Sequence, residues 1–367
     1  MQSISEEAHS LHRRALVFDA HCDILIPVAD GLCSLSRRVQ LPSPSEWTAP
    51  PGFGATKRPT PYELSDYAAW FSCAGQYDVP AFQSGGVTAQ TVAVYISEDY
   101  LSRPVERAMS LIAALHRELR ANSQTLMLAR APDDIDRARQ EGKTALLLAF
   151  EGAEALGHDL DLLDAYHALG LRMLSLTHSR RNAWAEGTQM NTVTGGLTVR
   201  GRQLVHRLNE LGIILDLAHL NDTGFWEVLS QTQTPPVISH TSLLKEYEGY
   251  RAPLMKVDGA HQKSKLQALA DLGGVVGILF WDRPTLEAVV DDIMLALEHA
   301  GERHVGLGSD LFSRDRAPAD LQDMSALPRL TEALMRRGLS EETILNVLGR
   351  NWLRVFEAVT GYRSKAE

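Results

Sequence analysis

Eight short aliphatic or β-branched runs, each followed by a longer stretch with helical periodicity, constrain this chain more than any other feature. They are Leu16 to Asp19, Thr91 to Ile96, Thr144 to Phe150, Arg172 to Leu176, Gly212 to Leu217, Pro236 to Ser239, Gly274 to Phe280 and His304 to Gly308. Such alternation is the pattern of a parallel sheet. Length alone, 367 residues, admits two ordinary domains or one large barrel. Eight strand-then-helix units select an α/β fold, a single (β/α)8 barrel of the TIM type spanning 1–367. The clearest helices are Val105 to Ala121, Gly201 to Glu210, Lys263 to Leu272 and Leu286 to Ala300, with apolar residues three and four apart. Ser340, followed by Glu341 and Glu342, is a plausible N-cap for a last helix, about 340–358, that closes the bottom or side of the barrel. The Pro-, Ser- and Gly-rich stretch from Cys33 to Tyr62 reads as a long loop after the first strand rather than a linker, and no internal repeat is visible.

Composition narrows the partners. No apolar run reaches the roughly 18 residues of a membrane span. A net charge of -10 gives phosphate backbones and anionic lipid little attraction, so neither nucleic acid nor a membrane is expected. Met1 to Arg14 is polar where a secretory signal needs an apolar stretch. Cys22, Cys33 and Cys73 form no close pair. Both features fit a cytoplasmic, reducing setting.

The first run leads into Asp19, Ala20, His21, Cys22, Asp23. Side chains alternate along a strand, so His21 and Asp23 are expected on one side and Cys22 behind it, packing as a small apolar group. Imidazole nitrogen and carboxylate oxygen are common zinc ligands, although one His-x-Asp triplet arises often by chance. Other runs end the same way: Glu151 with Gly152, Thr177 to Ser179 around His178, Asp216 to His219, His240, and Gly308, Ser309, Asp310. In an α/β barrel the strand C-termini converge on one rim. A single His or Glu there is usually a satisfied core polar group, but six strand ends in register point to a metal site.

In this order and spacing the residues resemble the membrane (renal) dipeptidase family of zinc peptidases, among the amidohydrolase-like barrels. The likeness spans nearly the whole chain and includes Gly85, Gly86, Val87, then Gly273 to Gly277, and Asn351 to Val355. It implies a metallo-dipeptidase with two Zn2+ per chain, His21 and Asp23 on one, His219 and His240 on the other, and Glu151 bridging them. A hydroxide shared by two dications would attack the peptide carbonyl. Asp310 would take its proton and deliver it to the leaving amine; the alternative is a third carboxylate ligand. His178 would hydrogen-bond the carbonyl oxygen as it becomes an oxyanion, the alternative being a core histidine. Arg251 would grip the substrate's C-terminal carboxylate, with Lys245 and Arg283 as rivals, and Trp281 would wall the pocket.

Three departures from the family bear on the substrate. Leu311, Phe312, Ser313 follow Asp310 where Phe, Asp, Gly is usual, leaving Asp315 as a substitute acid. Phe280 and Trp281 stand where a Phe and Tyr pair is common, and Ala252 and Pro253 follow Arg251 where an asparagine is common. The expected substrate is a dipeptide, with L,D configuration suggested by the family's tolerance of a D-residue. One alternative is another small amide such as an N-acyl amino acid. Another is a metal-binding homologue without catalysis, against which the intact ligands and Asp310 argue. Cobalt or manganese could replace zinc in vitro, and a homodimer is the base-rate expectation.

Overall fold

The computed structural model describes residues 4–38, 74–190, 194–243, 254–312 and 314–366. Nine parallel strands form its main sheet: β1 (Val17–Asp19), β2 (Val87–Tyr95), β3 (Leu126–Leu128), β4 (Thr144–Glu151), β5 (Leu171–Ser175), β6 (Ile214–Asp216), β7 (Val237–Thr241), β10 (Val275–Ile278) and β11 (Val305–Leu307). The two short strands between, β8 (Val257–Asp258) and β9 (Lys263–Ser264), pair antiparallel with each other. Around the main sheet the order runs β1, β2, β4, β5, β6, β7, β10, β11 and returns to β1, where Asp19 pairs with Leu307. Eight strands therefore close a barrel, each matching one of the eight apolar runs. The extra strand β3 pairs with the start of β4, from Leu126 beside Thr144 to Leu128 beside Leu146.

Every residue of β4 is buried. A barrel strand is covered on both faces, which is why its sequence is almost continuously apolar. The two faces still pack separately. Ala145, Leu147 and Ala149 join Phe18, Met173, Ile214, Val237 and Val275 inside the barrel, whereas Leu146, Leu148 and Phe150 join the larger core under the surrounding helices.

The interior is completed from below by the last helix, Asn351–Ala366, whose Trp352, Val355, Phe356 and Val359 belong to the inner cluster. Trp352 Nε1 donates to Leu307 O at 3.1 Å, Asn351 Nδ2 to Val305 O at 2.8 Å, and Arg354 to Gly273 O at 2.8 Å. Asn351 and Arg354 thus hold the points where β11 begins and the chain enters β10. The chain passes under β1 at Gly349, where a Cβ would lie 2.3 Å from Leu16 O, so only glycine fits. Trp352→Ala is expected to destabilise the protein by about 3–5 kcal/mol, the usual cost of emptying a large aromatic site. A urea midpoint measured at unchanged m-value reads this directly, and a shift below about 1 kcal/mol would mean the barrel does not need its plug.

The expected helices occur as Pro104–Ala121, Val199–Leu211, Lys265–Asp271 and Leu286–Ala300. The third starts two residues later than periodicity suggests. Ser264 accepts from Gln267 N and Gln267 Oε1 accepts from Ser264 N, a reciprocal cap that sets the boundary. Ser340 caps a helix as expected, accepting from Thr343 N at 3.1 Å, but that helix is short, Glu341–Leu345, and the single helix expected over about 340–358 is broken at Gly349 before Asn351–Ala366 begins. The expected loop at 33–62 lies mostly outside the described residues. Among those described, no helix is long and apolar enough to cross a membrane.

Candidate metal centre and active site

Strand β1 stops at Asp19, so pleat alternation is not what aims His21 and Asp23. The chain stays laced between its neighbours instead. Ala20 N donates to Leu307 O at 3.0 Å, Ala93 N to Cys22 O at 2.8 Å, and Asp310 N to His21 O at 3.3 Å. Cys22 is fully buried in the outer apolar core, and burial pushes its thiol well above the ordinary range, so it packs behind the site as expected.

Glu151 is the centre of the arrangement. Its Oε1 lies 3.1 Å from His219 Nε2, 3.6 Å from His240 Nε2, 3.7 Å from His21 Nε2 and 3.9 Å from His178 Nε2. His21 Nε2 is 3.6 Å from Asp23 Oδ2 and 3.8 Å from Asp310 Oδ1, and the Nε2 atoms of His219 and His240 face each other at 2.8 Å. Ligand atoms of His21, Asp23 and Glu151, of Glu151, His219 and His240, and of His21, His240 and Asp310 all fall within 4.8 Å of one another inside each set. Six strand ends far apart in sequence thus meet at one point on the C-terminal rim.

The backbone bends to bring them there. Gly152 turns at φ 90°, and a Cβ on it would lie 2.2 Å from Glu154 Oε2. His219 and Asp310 adopt φ 61° and 44°, a left-handed conformation that costs a non-glycine residue about 1–3 kcal/mol and is found where surrounding bonds over-determine it.

Those bonds come from polar groups that the sequence alone did not assign a role. Asp216 Oδ1 accepts from Ala218 N at 3.0 Å and Ser239 N at 2.8 Å, joining the exits of β6 and β7 just before His219 and His240. Ser239 Oγ sits 2.9 Å from His240 Nδ1, and Ser179 Oγ 2.9 Å from His178 Nδ1. Such outer contacts fix which ring nitrogen faces inward. Tyr95, its ring 4.8 Å from that of His178, is held by Arg180, which also bonds Glu154. The signal for Asp216 was its place at a strand end; for Tyr95 and Arg180 there was none.

Charge and burial conflict here. Burial raises the carboxyls of Glu151 and Asp310, which neighbouring carboxylates raise further. Burial opposes a charge on His21, but Glu151, Asp23 and Asp310 together hold it well above its ordinary range. His21 Nε2 and Asp23 Oδ1 are buried without a hydrogen-bond partner. Buried acceptors and carboxylates of this kind are stable when they are paired or coordinate a cation. The set of imidazole nitrogens and carboxylate oxygens fits divalent metal, zinc included.

The substrate-binding expectations fare differently. Arg251, Lys245, Ala252 and Pro253 lie outside the described residues, as does the side chain of Asp315. Arg283 is no longer a rival carboxylate binder, because it is buried in an ion pair with Asp292. Trp281 N bonds to Ser309 O at 3.3 Å, one residue from Asp310, and the Arg316 guanidinium stands 5.1 Å above its ring.

The profile of the membrane dipeptidase family (peptidase family M19) matches residues 5–367. The dipeptidase tcpJ of Claviceps purpurea is 28% identical over 304 residues, 78% of this chain and 70% of that protein; the dipeptidase aclJ of Aspergillus oryzae is 30% identical over 300 residues, 77% and 69%. The same barrel occurs in the solved dipeptidase AC, at TM-score 0.74 and 23% identity, covering 95% of this chain and 99% of that one. It occurs again in a Rhodobacter sphaeroides metallo peptidase liganded with a phosphinate mimic of L-Ala-D-Ala, at TM-score 0.72 and 22% identity, covering 94% and 99%.

Proposed function

The chain belongs to the membrane dipeptidase family and is a metal-dependent dipeptidase, and from that premise we propose that its own rim residues hold two zinc ions and that it hydrolyses L,D-dipeptides. The observation that carries the binuclear reading is the convergence of three histidine nitrogens within 3.1–3.7 Å of one Glu151 oxygen. In this reading His21 and Asp23 hold one ion, His219 and His240 the other, and Glu151 serves both. Bound there, the ions supply Lewis acidity, lowering the pKa of water toward neutrality and polarising a carbonyl oxygen.

The remaining work falls to the chain. Asp310, at the mouth of β11 and 3.8 Å from His21 Nε2, accepts the proton of the attacking water and returns it to the departing amine. His178, lowered to about 4 by burial and by His219, is neutral near pH 7. In the tautomer whose Nδ1 accepts from the Ser179 hydroxyl, 2.9 Å away, Nε2 carries the proton and donates to the developing oxyanion. Arg251 is the group assigned to the substrate's C-terminal carboxylate.

The dipeptide mimic bound by the Rhodobacter sphaeroides relative supports the L,D preference. Zinc-reconstituted enzyme should turn over L-Ala-D-Ala faster than L-Ala-L-Ala and leave N-acetyl amino acids intact, with two zinc ions per chain by elemental analysis. Turnover confined to acyl amino acids would overturn the substrate assignment. Full activity with one ion per chain would overturn the binuclear one.

A further inference from the structure

Something must hold Asp310 at φ 44°, and both of its chain neighbours are tied to the same buried phenol. Leu311 N donates to the Tyr77 hydroxyl at 2.7 Å, the Tyr77 hydroxyl lies 2.7 Å from Ser309 Oγ, and Ser309 Oγ donates to Asp19 Oδ2 at 2.6 Å. Ser309 N donates to the other Asp19 oxygen at 2.7 Å, and Gln90 Nε2 to Asp19 Oδ2 at 2.7 Å. Proton accounting gives the chain one direction. A backbone N–H only donates, and a carboxylate receiving three donors only accepts. With Asp19 as a carboxylate, the Ser309 proton goes to Asp19 and the Tyr77 proton to Ser309 Oγ.

Tyr77, Ser309, Asp19 and Gln90 are all buried from solvent. Tyr77 belongs to no barrel strand. It precedes the short helix Val79–Ser84, where Asp78 Oδ1 accepts from Ala81 N at 2.7 Å, and Gln76 O beside it accepts from Met324 N at 3.2 Å. A hydroxyl anchored from outside the barrel thus grips the residues on either side of Asp310.

We propose that Tyr77 is a positioning residue for Asp310: through Leu311 N and Ser309 Oγ it clamps both flanks and aims the carboxylate at the rim. The inference rests on the reading of Asp310 as the base. A tyrosine that served stability alone would be felt in the folding equilibrium. A clamp is felt in kcat, because a misplaced base still permits substrate to bind.

Tyr77→Phe keeps the ring and removes only the hydroxyl. It should lower kcat by about 10- to 100-fold, the scale of a misplacement near 1 Å. KM should stay within about twofold and zinc content should be unchanged. In an Asp310→Asn background the same substitution should cost nothing further, since there is no longer a base to aim. Ser309→Ala, which cuts the relay one step on, gives the same readout should Tyr77→Phe not fold. Wild-type kcat in folded Tyr77→Phe, or equal losses in both backgrounds, would overturn the clamp. An Asp310→Asn enzyme with full kcat would instead overturn the base itself, so the two failures are distinguishable.

Discussion

On the proposed two-ion reading, replacing Glu151 by glutamine will cost the enzyme both metals and lower kcat/KM by roughly 10³-fold or more, because the Lewis acidity it would organise is worth several kcal/mol. The substitution is nearly isosteric, so the effect is one of charge rather than volume. Glu151 is the ligand common to two of the clusters, with His21 and Asp23 on one side and His219 and His240 on the other. Removing its anionic oxygen weakens both half-sites together. His219→Ala is the useful contrast, since it strips one half-site and leaves His21, Asp23 and Glu151 as a set. Metal analysis after dialysis against trace zinc separates the two variants. A Glu151→Gln protein that keeps two ions and most of its rate would show that Glu151 does not bridge.

Asp310→Asn is expected to lower kcat by about 10²- to 10⁴-fold, the range associated with a positioned acid or base, while leaving metal content intact. The second half of that expectation decides between two roles. Asp310 Oδ1 is close enough to His21 and His240 to form a ligand set with them. If Asp310 were a ligand, the amide would lower zinc occupancy, and added zinc would restore part of the rate. If it is the base, occupancy stays at the wild-type level and excess zinc restores nothing.

The barrel strands were legible because burial on both faces leaves a nearly unbroken apolar run, as in Thr144 to Phe150, and no turn-forming residue interrupts it. The strand ends of the candidate metal centre were legible because ionisable residues stand within two positions of the ends of those runs. Strand alternation is not what sets His21 and Asp23 side by side. They lie past the end of β1 and are aimed by backbone bonds to β2, to β11 and to the segment that continues from β11. What escaped reading depends on distant contact. Leu126 to Leu128 is too short to separate from the end of a helix, and Lys263 and Ser264 resemble a helix start until β8 pairs with them. Tyr77 lies 233 positions before Asp310 and carries no motif. Arg283 looked free to meet a carboxylate until the fold placed Asp292 against it.

The closure of the barrel also sets the order in which the protein can be made. β1, at residues 17–19, has β11, at residues 305–307, as one of its two lateral partners, and the inner cluster is sealed by Trp352 and the three apolar residues that follow it on the last helix. A chain emerging from the ribosome can pair β1 with β2 early, but the other edge of β1 and the hollow of the barrel stay exposed until residues beyond 300 arrive. Contacts spanning so much sequence are formed late and slowly, and unpaired strand edges invite aggregation meanwhile. On the proposed ligand set, metal capture shares that timing, since His21 and Asp23 meet Glu151, His219 and His240 in a finished rim only after the ring has shut. Synthesis of this enzyme is therefore expected to yield activity as a late, all-or-none event rather than in proportion to the length of chain produced.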